Sequence, residues 1–205
     1  MSTFENPPYD VRYLDALAWA AELHADQPRK GTEVPYISHL LRVSATIWEY
    51  GGDDTQAIAG LLHDAAEDQG GRGILEEIVK RYDPEVAEIV TACSDSLVDT
   101  TAGADKADWL ARKTDHIEHL KDLGPRIALV VAADKLDNLE SIVRDIDACG
   151  YAEVMGRFNA GAADQVWFYG AVADAVRATV PDAMMRRFDA ARHALSNEVA
   201  LAEEP

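Results

Sequence analysis

Apolar residues recur along this chain at three- and four-residue intervals, and no run shows the two-residue alternation of a half-buried strand. A first helix is expected from about Asp10 to Ala25, with Tyr13 or Leu14, Leu17, Ala18 and Ala21 on one face. The stretch from Gln27 to Ile37 carries Pro28, Gly31 and Pro35 and reads as a loop. Ser38 is placed to cap a helix bearing Leu40, Leu41, Ser44, Ile47 and Trp48, which Gly51-Gly52 ends. Asp54 is placed to cap the next, whose Ala57, Ile58, Leu61 and Leu62 run into His63-Asp64. Gly70, Gly71 and Gly73 break the pattern before a helix from Ile74 to Tyr82. Asp83-Pro84 pairs a capping residue with proline at the first helical position and opens a helix to about Cys93.

The polar stretch from Ser94 to Lys106 reads as a loop long enough to be mobile or functional. A charged helix follows from about Ala107 to Leu123, and Gly124-Pro125 then starts a long helix through Asp134 and Asn138 to about Asp145. Two more are expected, near Ala162 to Thr179 and Pro181 to Glu198. In the last, Met184, Phe188, Ala191 and Leu195 make a stripe that fits core packing better than contact with a cofactor. With no repeat or linker in view, the expectation is one all-α domain over residues 1–205. Its motif-bearing region runs from about 13 to 145 and its C-terminal helices from about 151 to 199.

Length and composition agree: 205 residues with 48% hydrophobic content suffice for a real core. No apolar run approaches the roughly 20 residues needed to span a bilayer. The N-terminus lacks the basic and apolar blocks of a signal peptide. Cys93 and Cys149 have no metal-type spacing and read as reduced, mostly buried thiols of a cytoplasmic protein. Charge alters the picture more. With 37 acidic against 19 basic residues the net charge is −18, which argues against nucleic acid and membrane surfaces as partners. Any anion must therefore be received where the charge is locally reversed, by a metal ion or by clustered basic residues.

Leu61-Leu62-His63-Asp64-Ala65-Ala66-Glu67-Asp68 is the densest candidate chemistry. If helical, it sets His63 above Glu67 and Asp64 above Asp68, directly after an apolar run that anchors it in the core. No basic residue follows until Arg72, and a divalent cation is the natural partner of such a cluster. A mixed nitrogen and oxygen set suits manganese, iron or zinc better than calcium. Taken alone, the segment also fits an acidic patch with an incidental histidine. Asp134 ends the apolar approach Ile127-Ala128-Leu129-Val130-Val131-Ala132-Ala133, where an unpaired carboxylate would cost several kcal/mol. Lys135 projects about 100° away on the same helix and is a poor local partner. Asn138 and Ser141 continue a polar stripe from Asp134, which a half-exposed helix would also explain. His39, one residue beyond Ser38 at a helix start, is on its own grounds more often structural than a ligand. Arg29-Lys30-Gly31 supplies the local positive charge otherwise missing, although surface loops often carry such a pair.

Arg29-Lys30-Gly31-Thr32-Glu33-Val34-Pro35-Tyr36-Ile37-Ser38-His39, His63-Asp64-Ala65-Ala66-Glu67-Asp68 and Ala133-Asp134-Lys135-Leu136-Asp137-Asn138 together resemble the HD-domain hydrolases of the alarmone (p)ppGpp. More closely the chain looks like the stand-alone small alarmone hydrolases, relatives of the hydrolase half of the Rel/SpoT enzymes. The resemblance covers roughly Tyr13 to Ser141. Arg157-Phe158-Asn159-Ala160-Gly161 leading to Gln165-Val166-Trp167-Phe168-Tyr169 resembles the C-terminal part of bacterial stand-alone members. It implies one manganese ion on His39, His63, Asp64 and Asp134, with Glu67 and Asp68 handling the water nucleophile. It further implies nucleotide contacts from Arg29 and Lys30, and Asn138 and Ser141 beside base and ribose. The implied reaction is hydrolysis of the 3′-pyrophosphate to GDP or GTP and pyrophosphate, with no room for a synthetase half.

The chain departs from the Rel/SpoT pattern at Leu40, in place of proline, and at Asp137, in place of the common histidine, which adds negative charge near the nucleotide. Other nucleotides, namely (p)ppApp, NADPH or a nucleoside monophosphate, fit the same scaffold, as does a nucleotide-binding regulator that has lost catalysis. His116 and His119 share a helix face and read as solvated surface before metal ligands. Trp109, Arg112 and Lys113 read as surface packing before the rim of a cleft. Trp167, Phe168 and Tyr169 fit core packing or a contact between copies better than base stacking, so a homo-oligomer stays open.

Overall fold

Helical periodicity becomes helix throughout the residues described by the computed structural model, 9–94 and 108–203, and no strand occurs among them. The helices are α1 (Val11–Leu23), α2 (Ile37–Glu49), α3 (Asp54–Leu62), α4 (Ala65–Gln69), α5 (Gly71–Arg81), α6 (Pro84–Cys93), α7 (Trp109–Leu120), α8 (Pro125–Cys149), α9 (Tyr151–Met155), α10 (Ala162–Val176) and α11 (Asp182–Glu203). A single bridge between Pro28 and Pro35 closes the loop before α2. The all-α expectation holds. The polar stretch beyond Ser94, up to Lys106, lies outside the described residues.

Caps explain most boundaries. Asp10 accepts from the Arg12 backbone amide, Asp83 from that of Glu85, and Pro84 and Pro125 each start a helix where a missing N–H costs nothing. Two expected caps are corrected. Asp53, not Asp54, caps α3, because Asp53 and Gln56 form a reciprocal capping box. Ser38 lies inside α2 rather than capping it, since the chain is already helical at Tyr36. The short α9 escaped the sequence reading because Val154 is its only buried residue, too few to give a period.

Helix α8 is the axis of the fold, packing against α2, α3, α6, α9, α10 and α11. That environment explains why Ala128 through Ala133 are all apolar and all buried, with no solvent face left to make polar. Its last turns extend past Asp145 because Ile146 adds another buried anchor. Buried apolar side chains from Tyr13 to Val199 form one continuous cluster. Cys93 is in that core, whereas Cys149 is exposed, contrary to the expectation of two mostly buried thiols.

Gly60 fixes how closely α3 approaches α2. A Cβ there would stand 2.5 Å from Ile47 Cδ1 and 3.3 Å from Ser44 Cα. Ile47 is fully buried and has nowhere to retreat. Gly60→Ala is therefore expected to lower stability by about 1–2 kcal/mol, overpacking outweighing the gain of about 1 kcal/mol in helix propensity. Urea unfolding would read this as a lower midpoint at unchanged slope.

Candidate metal centre

Three parts of the chain, far apart in sequence, meet at one point. The first turn of α2 brings His39, the junction of α3 and α4 brings His63 and Asp64, and the middle of α8 brings Asp134. His39 Nε2 lies 3.2 Å from His63 Nε2, 3.3 Å from Asp134 Oδ1 and 3.5 Å from Asp64 Oδ2. His63 Nε2 lies 2.9 Å from Asp64 Oδ2 and 3.4 Å from Asp134 Oδ1. Donors bound about 2.0–2.2 Å from a tetrahedral or octahedral first-row ion stand about 3–3.5 Å apart, which is the spacing found among His39, His63 and Asp134, with Asp64 beside the two histidines.

The imidazoles are turned the right way. His63 Nδ1 donates to the Gly60 carbonyl at 2.8 Å, and His39 Nδ1 lies 2.6 Å from Asp137 Oδ2, so both Nε2 atoms face the centre. Adjacent residues on an unbroken helix point about 100° apart. His63 and Asp64 converge instead because the chain turns between α3 and α4 at this pair. The expectation of one continuous helix, with His63 directly above Glu67, is corrected accordingly. Backbone bonding from Asp68 N to Asp64 O at 2.9 Å does keep Asp64 and Asp68 one turn apart.

Burial opposes charge on all four groups, and their neighbours overcome it. Against its burial, the bonds from Asp134, Asp137 and Asp64 hold the His39 pKa up at about 9. His63 is likewise raised well above the usual histidine value by Asp64 and Asp134. Asp64 is held well below the ordinary carboxylate range, chiefly by the charge of His63, and Asp134 by Lys135 and His63. Protons and a divalent cation thus compete for the same Nε2 atoms. Nitrogen and carboxylate donors, spaced for coordination and locked from behind, fit a divalent metal.

Around this centre lies a set of polar contacts that sequence reasoning only partly found. Lys135 Nζ reaches Asp134 Oδ2 at 2.6 Å, so its exclusion as a local partner is corrected: a four-carbon stem bends back across the 100° offset. Asn138 Nδ2 donates to Asp134 Oδ1 at 2.5 Å, and Arg29 donates to Asn138 Oδ1 at 2.9 Å, tying the cationic loop to α8. Tyr36, not singled out from sequence, donates to Asp64 Oδ2 at 2.6 Å. Gln27 donates to Asp68 Oδ2 at 2.9 Å. Glu67 sits on α4 near enough for its charge to act on Lys135. Asp137 does not face a ligand-binding space as expected; it is buried behind His39 and paired with Arg42.

Beside the centre opens a cavity of about 400 Å³. Arg29 and Lys30 from the loop and Lys135 and Arg144 from α8 line it. Arg42, Lys113 and Arg157 add further cations, against Asp145 as the acidic member of the lining. This is the local charge reversal that a chain of net charge −18 requires for an anion. Asn138 and Ser141 also line it, and Ser141 accepts from Arg144 at 2.8 Å. Arg42 and Arg144 carry no signal in sequence because only tertiary packing brings them to Arg29, and the stretch opened by Arg157 gave no hint that it lines the same cavity.

Three lesser expectations change here. Trp109 and Lys113 line the cavity rather than merely packing on the surface, and Phe168 and Tyr169 are both core and cavity wall. Trp167 is 41% exposed and stacks edge-on against Trp109. His116 is buried, not solvated, whereas His119 is exposed.

Residues 16–154 match the HD domain family. A guanosine-3′,5′-bis(diphosphate) 3′-pyrophosphohydrolase of Aquifex aeolicus (strain VF5) is 33% identical over 142 residues, 66% of this chain but 18% of that protein. One from Drosophila melanogaster is 31% identical over 136 residues, covering 64% of this chain and 70% of that protein. The chain therefore matches less than a fifth of the long bacterial relative and most of the short insect one. The solved structure of a metazoan ortholog of SpoT that hydrolyzes ppGpp superposes with a TM-score of 0.69 at 26% identity, over 89% of this chain and 94% of that one. A crystal structure from Listeria monocytogenes EGD-e gives 0.63 at 25% identity, over 77% and 96%. Matched over most of its length, in sequence and in helical arrangement, the chain belongs to the HD domain family.

Proposed function

We propose that this protein is a metal-dependent phosphohydrolase that removes the 3′-pyrophosphate of (p)ppGpp, giving GDP or GTP and pyrophosphate. The observation that carries the reading is the cluster of His39, His63 and Asp134, with Asp64 against both histidines, set beside a strongly cationic cavity in an otherwise acidic chain. The names of the Aquifex and Drosophila relatives supply the bond. One continuous core from Tyr13 to Val199 supports reading the whole chain as one domain. A cytoplasmic location fits the free cysteines, and no helix among the described residues is long and apolar enough to cross a membrane.

His39, His63, Asp64 and Asp134 are the proposed ligands, and their mixed donor set makes manganese a suitable ion. When bound, a divalent ion supplies Lewis acidity and lowers the pKa of water at the centre. The remaining steps belong to side chains. Glu67 accepts the proton of the attacking water while Asp68, steadied by Gln27, orients it. Arg29 and Lys30 hold the pyrophosphate and offset the charge that develops as the bond from phosphorus to the 3′ oxygen breaks. That oxygen leaves with a proton as the ribose hydroxyl. Asn138, fixed between Arg29 and Asp134, and Ser141 set the nucleoside end of the cavity.

A substrate panel tests the assignment. Manganese-loaded protein is expected to release pyrophosphate from ppGpp and pppGpp faster than from ppApp, and to release little orthophosphate from NADPH or nucleoside monophosphates. Orthophosphate as the only product would rule the reaction out. Tight nucleotide binding without turnover would mark a regulator instead.

A further inference from the structure

We infer that Asp137, clamped by Arg42, is the positioning residue that sets the ring orientation and donor strength of His39. The inference rests on the metal-centre reading above. Asp137 lies on α8 and His39 and Arg42 on α2, three residues apart, so both α2 side chains can meet one carboxylate across the helix interface. The Asp137 carboxylate uses both oxygens. Oδ2 receives His39 Nδ1 at 2.6 Å and Arg42 Nη2 at 3.2 Å, while Oδ1 receives Arg42 Nε. His39 and Asp137 are both buried, whereas the Arg42 side chain keeps 40% exposure at the cavity wall.

The two imidazoles of the centre are thus held by different acceptors. His63 leans on a neutral carbonyl, Gly60 O, and His39 on a full negative charge. A carboxylate behind an imidazole fixes the tautomer with the proton on Nδ1 and raises the electron density at Nε2, which strengthens the metal bond. A buried carboxylate left with only a histidine would be costly, and Arg42 offsets that cost from the solvent side. Arg42 therefore lets Asp137 remain ionised behind His39. At this position the sequence departs from the pattern it otherwise resembles, and Arg42 is the compensating charge.

The test measures metal affinity, independent of any nucleotide. Mn2+ is titrated into metal-stripped wild type, Asp137→Asn, Asp137→Ala and the remote control Asp189→Asn, with free ion followed by electron paramagnetic resonance. The His39 Nδ1 proton is followed by NMR in the zinc-loaded proteins. Expected is an affinity loss of about 10-fold for the asparagine variant and up to about 100-fold for alanine, with the control unchanged. The strongly shifted His39 Nδ1 proton of wild type should move upfield in the asparagine variant and vanish in the alanine variant. Should alanine prevent folding, the asparagine variant carries the test, since it keeps the shape and removes the charge. Unchanged affinity in Asp137→Asn, or reduced affinity with an unmoved His39 Nδ1 proton, overturns the inference. Failure of the wild type to bind any divalent ion would instead overturn the metal-centre reading itself.

Discussion

Asp64→Ala is expected to lower kcat/KM by roughly 10³-fold or more, because it removes a proposed ligand of the ion that would offset the charge developing in the transition state. Asp64 stands 2.9 Å from His63 Nε2 and 3.5 Å from His39 Nε2, and Tyr36 donates to the same oxygen. Without it the centre keeps three donors and the Tyr36 hydroxyl loses its acceptor. The fold should survive, since the side chain retains 21% exposure and water can replace it as the hydroxyl's partner. Steady-state kinetics with metal in excess, alongside helical circular dichroism of the same preparation, would check both halves. Wild-type turnover in Asp64→Ala would remove that residue from the site.

Glu67→Gln is expected to lower kcat by about 10²–10⁴-fold, the usual worth of a positioned general base, with metal affinity unchanged. Asp68→Asn should cost less. Asp68 Oδ2 is already engaged by the Gln27 amide, which in turn accepts from Gln69 at 2.7 Å, an arrangement that orients a carboxylate. Glu67, on α4, is near enough to act electrostatically on Lys135, which itself contacts Asp134. Single-turnover rates of the two variants, measured with saturating manganese, compare the roles directly. A larger loss in Asp68→Asn would exchange them.

The parts of this account that were legible in the sequence are those with local signals. Period gave the helices, and Asp83-Pro84 and Gly124-Pro125 gave their starts because capping acts within one turn. His63-Asp64 and Asp134 stood out because carboxylates beside apolar runs need a partner. The capping box of Asp53 and Gln56 was also readable, but Asp54 beside it drew the assignment one residue too far. What escaped is tertiary. Arg42 and Arg144 read as ordinary surface residues, and Arg157 as part of a C-terminal resemblance, until α2, α8 and the segment after α9 meet around Arg29. Lys135 reaches Asp134 because a long flexible stem need not point with its Cβ, which helical spacing alone does not show. Asp137 looked like stray negative charge until α2 placed His39 and Arg42 against it.

One divalent ion at His39, His63, Asp64 and Asp134 is proposed to drive hydrolysis at the 3′-pyrophosphate. The most direct test of that role is to titrate Mn2+ into metal-stripped protein with ppGpp present and follow the products by phosphorus NMR. Turnover is expected to rise to a plateau at one ion per chain and to yield GDP and pyrophosphate in equal amounts. Full turnover in the stripped protein, or orthophosphate in place of pyrophosphate, would contradict it.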